Sequence, residues 1–200
     1  FLKLFPATQD YHLRPDAASH VEFESLGSEA GNNYATEWLA GQGGKNFSRH
    51  QYISQQTSLF FRIASRDSLI FKKKFRDWHG DYSSPRWDKL SYYLGNQRED
   101  LITSVGSELM LCQMEGTNSI SDGSLALIEY ANYDKLRPLL TKLARLSTKE
   151  SNVSLDKYQG YDLYSIPIPE LPAGLYGPLF KGFPRTFVSY VAPYLILSNS

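Results

Sequence analysis

Two continuous apolar runs of strand length, ELMLCQM (108–114) and SLALIEY (124–130), constrain the fold of this chain more than any other feature. The segment between them, EGTNSISDG, is rich in residues that favour turns. Two apolar runs joined in this way are typical of an antiparallel hairpin with a long loop. We therefore expect an antiparallel sheet in the C-terminal half of the chain.

The strongest helical pattern is NYDKLRPLLTKLARLSTK, residues 132–149. Leucines recur along it at helical spacing, and the basic residues lie mostly off that stripe. Asn132 or Asp134 can cap its start, which leaves Pro138 near the first turn, where a missing N–H costs least. The apolar stripe of this predicted helix contains Leu136, Leu139, Leu140, Leu143 and Leu146.

A second helical region covers residues 83–106 and is interrupted by Gly95. Glycine commonly follows the last residue of a helix, so we expect one helix to end just before it. Asn96 and Glu99 have the spacing of a capping box, which predicts that another helix starts at Gln97. The apolar residues at helical spacing are Trp87, Leu90, Leu94, Leu101 and Val105.

Further strands are predicted on both sides of these helices. Residues 58–78 are predicted to form two strands joined at 65–67, because apolar and basic side chains alternate along the second part. One strand is expected at 158–168, and two more within 186–200, joined at Ala192-Pro193. The alternating residues are Leu69, Phe71 and Phe75 on one face, and Lys72, Lys74 and Arg76 on the other.

The remaining segments have weaker patterns. HVEFES (20–25) and RHQYIS (49–54) are predicted to be short strands, with a helical turn at 34–39. The proline-rich segment 167–185 is predicted to be a long connection with one helical turn around Leu179.

The order of these elements predicts the fold class. Residues 107–200 give strand, strand, helix, strand, connection, strand, strand. This layout predicts an α+β fold with an antiparallel β-sheet and helices packed on one face. We expect a loop-rich, β-containing N-terminal part at 1–84 and an α+β domain at 85–200, with one continuous domain as the alternative.

Composition limits the classes of partner. Lys plus Arg and Asp plus Glu both number 21, so the formal net charge is zero. Without a net positive field we expect no nucleic-acid partner. The single cysteine excludes an intrachain disulfide. No apolar stretch is long enough to predict a transmembrane segment, and the N-terminal residues lack the pattern of a signal peptide.

Four short features of the C-terminal half point to a family. A glycine-acidic segment, Gly106-Ser107-Glu108, follows a helix, and Asp134 opens another helix. Tyr158-Gln159-Gly160 begins a strand, and Ser198-Asn199-Ser200 ends one. In these features residues 86–200 resemble large, uncharacterised bacterial cell-envelope proteins that are classed only as a domain of unknown function.

This resemblance implies a periplasmic or cell-surface protein that is anchored in its full-length form. It also implies that a helix follows Ser200. The abrupt apolar start FLKLF and the similarly abrupt end predict that the chain is a fragment of a larger protein. The family has no assigned activity and supplies no catalytic residues. Our leading hypothesis is therefore a non-enzymatic structural or interaction domain of an exported bacterial protein, without a cofactor.

The alternative hypothesis is an envelope-associated module that binds a glycan or a peptide. Aromatic rings on a semi-rigid loop can bind such partners at small entropic cost. The proline-rich loop 167–185 carries three of them, and the competing interpretation is that they cover the sheet. The candidate ligand or partner surface is Tyr176, Phe180 and Phe183.

Other candidate sites are weaker. GQGGKN (41–46) lacks the spacing and the Ser or Thr of a phosphate loop, so we interpret it as an ordinary loop. Cys112 lies in an apolar run and is expected to be a buried small hydrophobic residue. The basic residues of 72–76 are interpreted as an exposed strand face. Alternate residues that could hold a metal, in a pattern common in polar loops, are Asp77, His79 and Asp81.

Overall fold

The computed structural model describes residues 11–15, 21–25, 45–81, 85–115, 123–146 and 156–200. These residues form an α+β fold built on a seven-stranded sheet, together with a separate two-stranded hairpin. The strands are β1 (Tyr11–Pro15), β2 (Val21–Ser25), β3 (Thr57–Ala64), β4 (Val105–Met114), β5 (Ser124–Tyr130), β6 (Asp156–Tyr158), β7 (Tyr161–Ile166), β8 (Thr186–Val191) and β9 (Tyr194–Ser198). The helices are α1 (Ser68–Asp81), α2 (Pro85–Leu94), α3 (Arg98–Thr103), α4 (Tyr133–Arg145) and α5 (Leu171–Tyr176).

The large sheet has the strand order β3-β4-β5-β9-β8-β7-β6. Every neighbouring pair in it is antiparallel, which confirms the predicted sheet. Strand β5 has the predicted bounds. Strand β4 begins at Val105, which the helical spacing of 83–106 had placed in a helix. Because β3 pairs with β4, the sheet contains strands from both sides of residue 84.

The helices pack on one face of this sheet, as predicted. Alternate residues of the central strands, such as Leu109, Ile128 and Leu195, join the helices in one apolar core. The alternation follows from the strand period of two, which sends neighbouring side chains to opposite faces. The other face therefore carries a second set of side chains, including Met110, Cys112, Leu127 and Tyr194.

Helix α4 confirms the prediction for its segment. The Asn132 side chain accepts a hydrogen bond from the Lys135 N–H at 3.3 Å, which caps the first turn. The helix ends at Arg145, so Leu146 lies beyond the buried stripe and is 41% exposed. Pro138 lies inside the helix and not in its first turn. The four remaining leucines of the stripe are buried: Leu136, Leu139, Leu140 and Leu143.

The second half of 58–78 is helix α1, so the prediction of a strand there was wrong. Asp67 Oδ1 accepts hydrogen bonds from the N–H groups of residues 69 and 70 at 3.0 Å, and so caps the helix. Phe71 and Phe75 are four residues apart, so a helix puts them on one face, where both are buried and stack at 6.3 Å. Leu69 is 78% exposed. Since α1 is helical, Lys72 and Lys74 do not form the alternating stripe of a strand.

The break at Gly95 is confirmed, and the capping box is not. Gly95 has φ of +55°, a left-handed conformation that favours glycine, and α2 ends just before it. A 3-10 turn follows, and α3 begins at Arg98 with Gln97 as an N-cap that makes no side-chain bond. Asn96 is therefore one residue too early to cap the helix.

The predicted strand at 158–168 is a hairpin of β6 and β7. Its turn consists of Gln159 and Gly160, which both have positive φ, at 50° and 87°. Two such residues match the twist of a tight hairpin, so this pair turns the chain and does not begin a strand. In the next connection, α5 and a 3-10 turn at Pro178–Phe180 fold back on the sheet. The turn at Ala192-Pro193 between β8 and β9 is confirmed.

In the N-terminal part, β2 confirms the strand predicted at 20–25. The strand predicted at 49–54 is wrong, because this segment contains the 3-10 turn His50–Tyr52. The helical turn predicted at 34–39 lies outside the described residues.

Candidate functional site

Two carboxylates lie side by side on the sheet face opposite the helices. Glu108 is in β4 and Glu129 is in the neighbouring strand β5. Their side chains are 2% and 15% exposed. A buried carboxylate costs several kcal/mol unless it is paired and hydrogen-bonded, so the groups around these two decide what the site can do.

The segment 45–53, which we call the strap, crosses this face. It consists of residues 45–49, which have no regular secondary structure, followed by the 3-10 turn His50–Tyr52. Phe47, Tyr52 and Ile53 pack against an apolar floor of four buried sheet residues. These floor residues are Met110, Cys112, Leu127 and Tyr194.

Three cations surround the two carboxylates. Lys45 Nζ lies 3.7 Å from an oxygen of Glu108 and 3.4 Å from an oxygen of Glu129. Arg49 Nη1 lies 3.2 Å from Glu129 Oε1. From β3, Arg62 binds Glu108 through its Nε atom. Two of the cations therefore come from the strap and one from the sheet.

Neutral donors occupy the remaining oxygen positions. The Tyr194 hydroxyl donates to Glu108 Oε2 at 2.8 Å, and the Ser107 N–H donates to Glu129 Oε2 at 2.9 Å. Arg62 also donates to the Lys45 carbonyl at 2.7 Å, which ties the start of the strap to β3. All four carboxylate oxygens thus have partners within the chain.

Gly106 makes room for this arrangement. A Cβ atom added at residue 106 would lie 2.6 Å from Cγ and 2.8 Å from Cβ of Glu129. Cβ and Cγ of Glu129 lie close to the backbone of that residue. They can therefore move away from a new Cβ at residue 106 only if the whole Glu129 side chain is displaced. Any side chain at residue 106 is therefore expected to push the Glu129 carboxylate away from its cations.

The electrostatics keep Glu129 ionised. Burial raises the pKa of Glu129, but the Ser107 N–H and the charges of Lys45 and Arg49 outweigh it, so the pKa lies below its ordinary value of 4.5. A carboxylate with a depressed folded-state pKa stabilises the fold at pH above its unfolded pKa. This stabilisation is lost as the pH falls through the folded-state pKa of Glu129, which is below 4.5.

The thiol of Cys112 lies beneath the strap and is poorly suited to nucleophilic chemistry. Its side chain is 1% exposed, and burial raises the pKa of the thiol to about 11. At neutral pH the thiol is therefore protonated, and only the thiolate is a strong nucleophile. This placement matches the interpretation of Cys112 as a buried small hydrophobic residue.

The three loop aromatics of the candidate ligand surface lie in the core. Tyr176 is 1% exposed, and Phe180 and Phe183 are both 0% exposed. The Tyr176 hydroxyl bonds that of Tyr130 at 2.9 Å, and its ring contacts Phe180 edge to face at 5.8 Å. In this structure the rings cover the sheet and offer no surface to a ligand.

Of the other candidates from the sequence, the metal candidate lies on α1, and one residue of GQGGKN belongs to the carboxylate cluster. Residues 77–81 belong to α1 and not to an extended segment, and the side chains of His79 and Asp81 lie outside the described residues. Within the part of the chain that the structure describes, no three His, Cys, Asp or Glu side chains come together in a way that could hold a metal ion. Of GQGGKN, the described residues are Lys45 and Asn46, and Lys45 belongs to the cluster.

Sequence reasoning missed the carboxylate cluster. In the sequence, Glu108 belongs to a glycine-acidic segment and Glu129 lies inside the apolar run SLALIEY, and neither position alone indicates a pairing. The available signal was one acidic residue in each of two neighbouring apolar strands. A charged residue in such a strand needs a partner, and this requirement predicts cations elsewhere in the chain.

A shallow apolar groove of about 240 Å³ lies beside β6. Two of its residues are exposed tyrosines, Tyr158 at 68% and Tyr161 at 47%. The groove is lined by Tyr158, Tyr161, Leu163, Ser189 and Val191.

Comparison with known proteins gives no match. No protein-family model matches the chain, and neither does any curated protein or solved structure that was compared with it. Among the described helices, none combines the length and the apolar content that crossing a membrane requires.

Proposed function

We propose that this chain is a non-enzymatic structural or interaction domain of an exported bacterial protein. The resemblance of residues 86–200 supports the periplasmic or cell-surface location and the anchored full-length protein. The carboxylate cluster supports the non-enzymatic role, since an acid or base in catalysis needs a proton to exchange and a substrate within reach.

The observation that carries this proposal is the complete pairing of Glu108 and Glu129. Their partners come from parts of the chain up to 86 residues away, and each oxygen bonds a group of the same protein. Ionised groups that are all bound to one another are suited to fixing the positions of segments. In this chain they fix the strap on the sheet.

The pairing predicts a measurable coupling between Lys45 and Glu129. In a double-mutant cycle of Lys45→Met and Glu129→Gln, we expect a coupling energy of about 1–3 kcal/mol in the free energy of unfolding, from urea denaturation. The control is the pair Arg137 and Asp162, where Arg137 is 61% exposed and the coupling should stay below about 1 kcal/mol. A coupling near zero for Lys45 and Glu129 would contradict the structural role.

The second candidate is a module that binds a peptide through the groove beside β6. The groove favours this candidate because it presents two exposed tyrosines, the residue type enriched where proteins bind partners. Its lining consists mainly of apolar side chains and rings, which suits an apolar peptide side chain better than the many hydroxyls of a glycan.

Arrays of defined peptides and glycans test the binding module. We expect peptide hits that are lost when Tyr158 and Tyr161 are both replaced by Ala. Leu69→Ala is a matched control, because Leu69 is also exposed and lies on α1. An array without hits, or hits that survive the double substitution, would count against this groove as the binding site.

A further inference from the structure

The sheet face under the strap combines an apolar floor with two carboxylates. The floor residues are all at most 2% exposed, and the carboxylates of Glu108 and Glu129 lie beside them. Without the strap, the only cation left among the described partners of these carboxylates is Arg62. The uncovered face would therefore carry a net negative charge next to apolar side chains.

The strap is attached to this face by side chains. None of residues 45–53 is fully buried. Its bonds to the sheet include the ion pairs of Lys45 and Arg49, a bond from Lys45 Nζ to the Ser107 hydroxyl at 3.5 Å, the bonds from Arg62 and a bond from the Tyr52 hydroxyl to the Ala192 carbonyl at 2.7 Å. Its backbone bonds close its own 3-10 turn and do not extend the sheet. Segments with few buried contacts open locally more readily than the core does.

The strap also displays a simple chemical pattern. Lys45 and Arg49 are four residues apart, Phe47 lies between them, and Tyr52 follows. The two cations bind the carboxylates, while the rings pack on Phe60 and Tyr194 at 5.8 Å and 5.0 Å between centroids. Each chemical feature of the strap therefore has its complement on the sheet.

We propose that this sheet face is a docking site for a basic and aromatic peptide segment of a partner protein, and that the strap covers it as a displaceable intramolecular occupant. This inference rests on the interaction role proposed above and names the partner chemistry. The partner segment carries two cations four residues apart with an aromatic residue between them, because charge complementarity selects such a segment over a neutral one. Binding requires the strap to leave, so the strap keeps the site closed.

Cys112 provides the test, because it lies in the floor under the strap and is the only cysteine of the chain. In the full chain, a maleimide reagent should label Cys112 slowly. In the double variant Lys45→Ala/Arg49→Ala we expect labelling to be at least about tenfold faster, since two charge partners of the strap are gone. Arg137→Ala removes a cation outside the cluster and should leave the rate unchanged.

The peptide KNFSRHQYI, which has the sequence of residues 45–53, then serves as the partner. Added to the double variant, it should slow the labelling of Cys112, whereas ANFSAHQYI should not. The inference is overturned if neither peptide slows labelling, if both slow it equally, or if the double variant is labelled no faster than the native chain. If the double variant does not unfold cooperatively, the single variant Arg49→Ala replaces it with the same expected results.

Two further measurements distinguish this inference from the structural role proposed above. The rate of global unfolding is measured for each variant as well. If Cys112 is labelled at the rate of global unfolding in every variant, the strap does not open separately from the rest of the fold, and the inference is overturned. A strong coupling between Lys45 and Glu129 with no peptide protection would leave the structural role standing and end the docking site.

Discussion

Replacing Glu108 by Ala lowers the free energy of unfolding by about 3–5 kcal/mol, the range for breaking one partner out of a buried ion pair. The Glu108 side chain is 2% exposed and binds Arg62, Lys45 and Tyr194. Its removal takes the carboxylate acceptor away from Nε of Arg62, whose side chain is 17% exposed, and from the buried Tyr194 hydroxyl. Urea denaturation followed by circular dichroism measures the change.

Two further variants show whether this loss comes from the unpaired charge. Arg137→Ala removes an exposed ion pair and should cost less than about 1 kcal/mol. The double variant Glu108→Leu/Arg62→Met removes both charges and should recover most of the loss, because apolar replacements of a buried pair are often neutral or stabilising. A loss below about 1 kcal/mol for Glu108→Ala would contradict the buried pairing.

Phe180→Ala is the second substitution with a large expected effect, a loss of about 3–5 kcal/mol in the free energy of unfolding. Phe180 is 0% exposed and packs edge to face against Tyr176, so truncation leaves a cavity between the loop and the sheet. Thermal and urea denaturation both measure this loss of stability. The control is Tyr158→Ala, because Tyr158 is an aromatic residue that is 68% exposed. This substitution should change the free energy of unfolding by no more than about 0.5 kcal/mol.

The outcome for Phe180 also bears on the ligand surface that the sequence suggested. A change near zero would mean that the rings of the loop 167–185 are not packed as described, and a binding role for them would regain support. A large loss with unchanged peptide binding would separate these rings from recognition.

The sequence predicted those elements whose pattern admits one interpretation. SLALIEY is mostly apolar and became β5, and the leucine stripe of 132–149 became α4 with the predicted cap at Asn132. Both patterns are local, so neighbouring residues are sufficient to decide them. The α+β class followed from the order of such elements.

Helix α1 was missed because its sequence satisfies two periods. Phe71 and Phe75 fit an alternating strand and also the four-residue spacing of a helix. The side chain of Asp67, which caps the helix, decides between the two periods. Aspartate before an ambiguous run was a usable signal for a helix start.

The carboxylate cluster depends on strand pairing, which periodicity does not give. Lys45 is 17 residues from Arg62 and 84 from Glu129, and only the fold brings these groups together. The sequence can show that two apolar strands each carry an acidic residue. It cannot show which cations reach them, because that depends on how β3, β4 and β5 are ordered and where the strap crosses.

The central place of β9 has a consequence for how the sheet is assembled. Residues 194–198 separate β3, β4 and β5 on one side from β6, β7 and β8 on the other, and Leu125 pairs with Ser198 across a large sequence distance. The two groups of strands can therefore join only after β9 has been synthesised and has left the ribosome. Such a high contact order favours slow folding, with a period in which two strand edges are exposed to chaperones.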